Sequence, residues 1–433
     1  MKKILINLWL IIGYAIPALA QNSYMVHEWG TFTSVQGGNG RLQLWNTLRA
    51  SQLPNFVNDW FKPGLNVIAA GIQGRGKGGI PALQRLETPV VYFYSDETMN
   101  ADVSVAFPRG FVTEWYPLAS QIGPSKVYSR VPEDEKFMSP LDASLPESRV
   151  TWRHLTIIPA RPAVSDLAER LPTDQTGSHY FAARETDADY VQTDLPDPTT
   201  GTNETEKFLF YRGAGSFETP LHVSMDADNN FAVRNSGGEK LSSLFFVRVH
   251  DGHGEFNCIK TLPPGETYFE SGWQTAGEGW QRFPLAQFHQ AIAAQMVAAL
   301  VHEGLFYREA EAMVNTWMDS WFSEEGTRVL YILPRAWTDG ILPMTLNPQP
   351  AQLVRVMVGR TEIISPRVQT ELLGNLTRAQ NGDPMARREA SVTFKQLGRF
   401  AAPALALTVG NDDTNAVAQF GEQLVIEALL SKN

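Results

Sequence analysis

Cysteine is almost missing from this chain. Cys258 is the only one in 433 residues, so no internal disulfide can form and stability has to come from burial. The composition supplies the means, with 43% apolar and 11% aromatic residues. Long apolar runs are also missing beyond the first twenty residues. No later segment reaches the ~18 unbroken apolar residues that mark a spanning helix. Blocks of basic residues are absent too, and 46 acidic against 36 basic side chains leave a net charge of −10. That balance disfavours nucleic acid and anionic membrane surfaces as partners.

Three catalytic signatures fail at identifiable positions. No Gly-x-Ser-x-Gly elbow exists, and around Ser216 the glycine positions hold Ala214 and Glu218. The pairs His27-Glu28 and His302-Glu303 lack the second histidine of a zinc protease, since Thr31 and Phe306 stand one helical turn on. The loop Gly71-Ile-Gln-Gly-Arg-Gly76-Lys77-Gly78 approaches a phosphate-binding P-loop. It places glycine where a hydroxyl should reach Mg²⁺, and it reads as a flexible basic loop. Cys258 sits in a strand-like run without an electropositive setting, which fits an inert thiol.

What is present begins with a leader. Lys2 and Lys3, an apolar stretch from Ile4 to Ile16 and Ala18-Leu19-Ala20 have the layout of a bacterial signal peptide over 1–20. The expected location is the periplasm or the exterior, with no membrane span after cleavage. Next comes a β-rich region, 21–183, in which Val103, Val105 and Phe107 alternate with Asp102 and Ser104 as in a half-buried strand. An aperiodic acidic stretch, 184–207, reads as a loop or linker. A second sandwich-like β-region spans 208–282, and 283–364 holds a helical hairpin plus strands. Leu285, Phe288, Ile292, Met296 and Leu300 give that hairpin its apolar stripe. In the tail, 365–433, Ser365-Pro366 and Asp383-Pro384 each set an N-cap before an N1 proline. The fold class is therefore α+β, with sandwich-like layers, a helical hairpin, a small mixed segment and a helical tail. Glu87-Thr-Pro and Glu218-Thr-Pro each precede an apolar run, a weak echo that suggests equivalent strands in two β-layers.

Candidate chemistry gathers in four places. Glu28 and Glu114 each precede a tryptophan, as sugar-cleaving sites pair carboxylates with aromatic platforms. His27 beside Glu28 completes the catalytic candidates. Trp29, together with Arg212, Arg335, Trp337 and Asp339 on loops that follow apolar strands, forms the ligand-binding set, because arginine grips carboxylate or phosphate with two prongs. Asp251-Gly252 is a two-residue hairpin turn, which sets His250 opposite His253 and Arg248 opposite Glu255. His250, His253 and Glu255 are the residues that would hold a metal, although no metal and no cofactor are expected.

The blocks His27-Glu-Trp-Gly-Thr-Phe-Thr-Ser34, Glu87-Thr-Pro-Val-Val-Tyr-Phe-Tyr94, Phe210-Tyr-Arg-Gly-Ala-Gly215 and Leu353-Val-Arg-Val-Met-Val-Gly-Arg360 resemble signature blocks of a large family of exported bacterial proteins. The resemblance implies export and brings no site residue. The stretch Leu397–Leu405 resembles HEAT-type repeats, which imply protein contact. The function expected is non-catalytic binding or assembly in the cell envelope, with another envelope protein or a glycan as partner. The alternative is a glycan hydrolase using a carboxylate pair. In an extended chain His27 and Glu28 point to opposite faces, so the expectation is a first strand covered on both sides, with His27 toward a cavity.

Overall fold

The computed structural model describes residues 24–47, 53–59, 81–122, 148–161, 165–197, 200–270, 281–410 and 415–430. The leader, Trp60 and the glycine-rich loop at 71–78 lie outside them. Eight longer strands carry the main sheet: β1 (Tyr24–Gly37), β2 (Gln84–Ser95), β3 (Gly110–Tyr116), β4 (Leu209–Gly215), β5 (Leu241–His250), β6 (His253–Leu262), β7 (Gly326–Ile332) and β8 (Gln352–Ile364). Their order is β6-β5-β7-β8-β1-β2-β4-β3, with the short strands Gln281–Pro284 and Asn58–Asp59 at the two ends. β1 is central, parallel to β8 and antiparallel to β2.

A strand with large apolar side chains on both faces must be covered twice, and β1 is. Val26 and Phe32 enter a core shared with a six-stranded sheet built from 99–107, 148–158, 190–196, 203–206, 344–347 and 121–122. Trp29, on the opposite face, enters a core shared with helices α1 (Leu285–His302) and α2 (Tyr307–Phe322). The α1 stripe buries Phe288, Ile292, Met296 and Leu300 as the spacing predicts. Gly254 of β6 makes that contact possible, because a Cβ there would stand 2.1 Å from the Phe288 ring.

At Gly30 the register with β2 shifts, so that Thr88 and Pro89 oppose one residue and Thr88 takes φ 47°. The glycine is needed there, since its Cβ would come within 3.0 Å of the Pro89 backbone. The bulge adds its extra residue to β2, so His27 and Glu28 stay on opposite faces.

The tail forms α4 (Pro366–Gln380), α5 (Pro384–Leu397), α6 (Ala401–Val409) and α7 (Ala416–Leu430), preceded in the chain by the short α3 (Arg335–Ile341). Ser365 Oγ accepts from the Val368 N–H, and Asp383 accepts from those of Met385 and Ala386, so both expected N-caps form. Leu372, Leu376, Phe394, Leu405 and Leu424 give the tail its own core. A second cluster of Val35, Trp45, Ile364, Phe400 and Ala404 seals it to the end of β1.

Three expectations are corrected. The acidic stretch 184–207 is no linker, for it carries the edge strands 190–196 and 203–206. Two of its charges are spent inside: Asp189 accepts from the Ser95 and Ala160 N–H groups, and buried Glu206 pairs with Arg184 at 2.6 Å. The Glu-Thr-Pro echo marks no equivalent strands. The first lies at the bulge inside β2 of the main sheet, and the second precedes Leu221–Met225 of a three-stranded sheet. The main sheet also draws strands from 24–116, 209–262 and 326–364, so boundaries at 207 and 282 run through one sheet.

Candidate functional site

On the face of β1 toward the six-stranded sheet, Glu28 is wholly buried. Its register partner on β8 is Arg355, whose Nε donates to Glu28 Oε2 at 2.5 Å, and the Tyr211 hydroxyl donates to Oε1. Arg355 Nη1 donates onward to Asp339 Oδ1 at 2.7 Å and to the Leu342 carbonyl at 2.8 Å. Asp339 in turn accepts from Arg335 Nε at 2.8 Å, one helical turn earlier on α3. The chain Glu28–Arg355–Asp339–Arg335 thus runs from the interior to a half-exposed surface pair. Burial pulls the Arg355 guanidinium down, yet Glu28 and then Tyr211 outweigh it and hold its pKa above the usual arginine value. Both oxygens of the Glu28 carboxylate are thus occupied inside the core, one by a guanidinium and one by a phenol.

Arg335 and Asp339 therefore do join Glu28 in one hydrogen-bonded chain, but from a helix rather than a loop, and Trp337 lies on the same helix. Trp337 is no open platform, since its ring packs edge-on against Phe32 at 5.3 Å and lies 5.9 Å from Phe217.

On the helix face, His27 is equally buried. Its Nδ1 lies 2.8 Å from Glu309 Oε2. Glu309, at N3 of α2, also accepts from the Phe306 N–H at 2.8 Å and from the Tyr94 hydroxyl at 2.7 Å. The Phe306 ring covers His27 at a centroid distance of 4.5 Å. Trp29 packs at 6.1 Å on Tyr92 and is core, not a ligand platform.

Beyond Thr31 this face becomes a layer of buried charge. Arg399 of the tail donates to both oxygens of Glu87 at 2.8 and 2.9 Å. Arg360 pairs with Glu324 at 2.7 Å and Glu362 at 2.8 Å, and Arg328 pairs with Glu362 at 2.9 Å. Arg85 grips Glu114 at 2.9 and 3.0 Å. Burial raises the Glu114 carboxyl, but Arg85 and Arg212 bring it below the usual carboxylate range. Arg212 itself lies within β4, not on a loop; burial lowers it to about 10, and it donates to Thr88 Oγ1 at 3.1 Å. The candidates Glu114 and Arg212 are thus parts of a clamp.

At the C-terminal end of β1 a cleft of about 260 Å³ opens, lined among others by Gln36, Arg41, Leu42, Glu218, Thr219 and His222. Arg41, Glu218 and His222 are exposed, and none of the three forms an ion pair among the described residues. Sequence reasoning missed this cleft. Its one legible signal was the Phe217-Glu-Thr-Pro-Leu-His segment, which marked a strand start and gave no hint of a concavity.

The β5–β6 hairpin has the expected register, His250 opposite His253 and Arg248 opposite Glu255. Glu255, however, turns to Arg282 at 3.3 Å, and the group spaced for a cation is His250, Asp251 and Glu325. Burial raises the Cys258 thiol to about 11, which leaves it protonated and inert.

No family model matches the chain, and no curated protein sequence does. Among solved structures it is similar to the yeast delta-COP-I mu-homology domain at 6% identity and a TM-score of 0.26, over 79% of this chain and 98% of that one. The same domain complexed with a Dsl1 WxWxV peptide gives 7% identity and a TM-score of 0.23, over 79% and 96%. Similarity at that level carries no statement about fold or function. Among the described residues no helix is long and apolar enough to cross a membrane.

Proposed function

We propose that this protein acts outside the cytoplasm as a non-catalytic binding or assembly component, with a glycan or another envelope protein as its partner. The leader layout at 1–20 supports the location. One contrast carries the rest. The carboxylates a hydrolase would need, Glu28 and Glu114, are closed off by Arg355, Tyr211 and Arg85, while Arg41, Glu218 and His222 around the cleft keep their side chains free of ion pairs among the described residues. Charged side chains converging on a concavity are what a polar ligand engages.

The purified protein should therefore bind a member of a panel of acidic and neutral oligosaccharides, read by thermal shift and titration calorimetry. Arg41→Ala with His222→Ala should weaken that binding at least tenfold without lowering the melting temperature. Polysaccharide turnover abolished by Glu28→Gln or Glu114→Gln, in protein that stays folded, would establish the hydrolase instead.

A further inference from the structure

We infer that the tip of the β5–β6 hairpin, together with the α2–β7 connection, is a divalent transition-metal site formed by His250, Asp251 and Glu325, with His253 beside it. This is independent of the cleft. One ligand atom from each of the three lies within 4.8 Å of the others. Asp251 Oδ2 is 3.1 Å from His250 Nε2, and Glu325 Oε2 is 3.5 Å from His250 Nδ1. The turn explains the convergence. Asp251 (φ 50°) and Gly252 (φ 71°) are both left-handed, the two-residue turn whose twist matches the flanking strands. The Asp251 N–H donates to Glu325 Oε1 at 3.3 Å, which ties the second carboxylate to the tip.

His253 adds a second imidazole. Its Nδ1 is 3.0 Å from the Asp251 carbonyl, which can only accept, so Nδ1 donates there and Nε2 is the ring nitrogen left for a metal. As the register partner of His250, it has its Cβ about 4.5–5.5 Å from that of His250. One imidazole and two carboxylates, with a second imidazole opposite on the hairpin, suit zinc, copper or nickel, whereas calcium and magnesium prefer oxygen alone. The side chains of His250 and Asp251 are about half and three-quarters exposed, so rotamer changes can bring the donors to the bond lengths of roughly 2.0–2.2 Å that zinc requires.

The position suggests a use. Glu325 also accepts from Gln396 Nε2 of tail helix α5 at 3.4 Å. A bound ion would thus join the hairpin tip, the α2–β7 connection and, through Glu325, the tail.

The test is calorimetric titration of the full chain with zinc chloride, with magnesium chloride as the comparison. One zinc should bind and magnesium should not. His250→Ala and Glu325→Gln should each weaken zinc at least tenfold, while His222→Ala leaves it unchanged. Zinc should also slow proteolytic release of the tail in wild type but not in His250→Ala. Far-UV circular dichroism confirms that the exposed variants fold. Equal zinc affinity in wild type and His250→Ala, or a magnesium affinity matching zinc, overturns the proposal.

Discussion

Arg399 Nη1 donates to both carboxylate oxygens of Glu87 although 312 residues separate them, and this pair ties the helical tail to the middle of the main sheet. Glu87 is almost wholly buried, so the tail completes the sheet electrostatically as well as sealing Val35 and Trp45. A tail docked this way differs from a module joined by a linker.

Removing one partner of such a pair strands the other charge. Arg399→Leu should cost about 3–5 kcal/mol, whereas Arg399→Leu combined with Glu87→Leu should cost less than the sum of the two single changes. Denaturant midpoints of the four proteins measure the coupling. By the same logic, truncation at residue 365 should destabilise the β-part, visible as a lower midpoint for residues 24–364 than for the full chain.

Glu28→Gln removes the anion that Arg355 and Tyr211 share in the interior. The expected loss is about 3 kcal/mol in unfolding free energy, with ligand affinity at the distant cleft unchanged. Calorimetric melting and titration on the same sample check both halves. A variant that melts like wild type would overturn a stabilising role for the Glu28–Arg355 pair.

Glu204, on the edge strand 203–206, is raised from 4.5 to about 7, first by burial and then by Asp197, against the Leu118 N–H that lowers it. A raised carboxyl binds its proton more tightly in the fold than in the unfolded chain. Its contribution is therefore complete below about 4.5 and is lost as pH climbs to about 7, by at most about 3 kcal/mol. Glu324 works the other way. Burial raises it, but Arg360 and then Arg399 and Arg328 bring it to about 2, so its contribution is lost as pH falls from 4.5 toward 2. Unfolding measured between pH 4.5 and 7.5 should show a decline in wild type that is shallower in Glu204→Gln.

Gly254→Ala places a methyl carbon against the Phe288 ring, where an ideal Cβ stands only 2.1 Å away. Overpacking of this kind should lower stability by about 1–3 kcal/mol, and Phe288→Leu should recover part of the loss in the double variant. Urea unfolding of the three variants decides it.

Much of the local structure was legible because it depends on neighbours in the chain. The α1 stripe follows from a period of 3.6, the caps at Ser365 and Asp383 from side chains that reach the next turn, and the His250–His253 register from a two-residue loop. The opposite facing of His27 and Glu28 needed only the strand's period of two. The partners of those residues were beyond reach. Glu309 lies 282 residues from His27, and Arg355 lies 327 residues from Glu28. Burial is what selects such partners, because a charge removed from water must find its counterpart wherever the chain brings one, and no local pattern records where that is. The same holds for 184–207. Its acidic residues imply solvent when taken alone, but in the fold Asp189 and Glu206 answer N–H groups and an arginine inside the protein. Sequence settled which way each strand faces; only the tertiary structure settled what it faces.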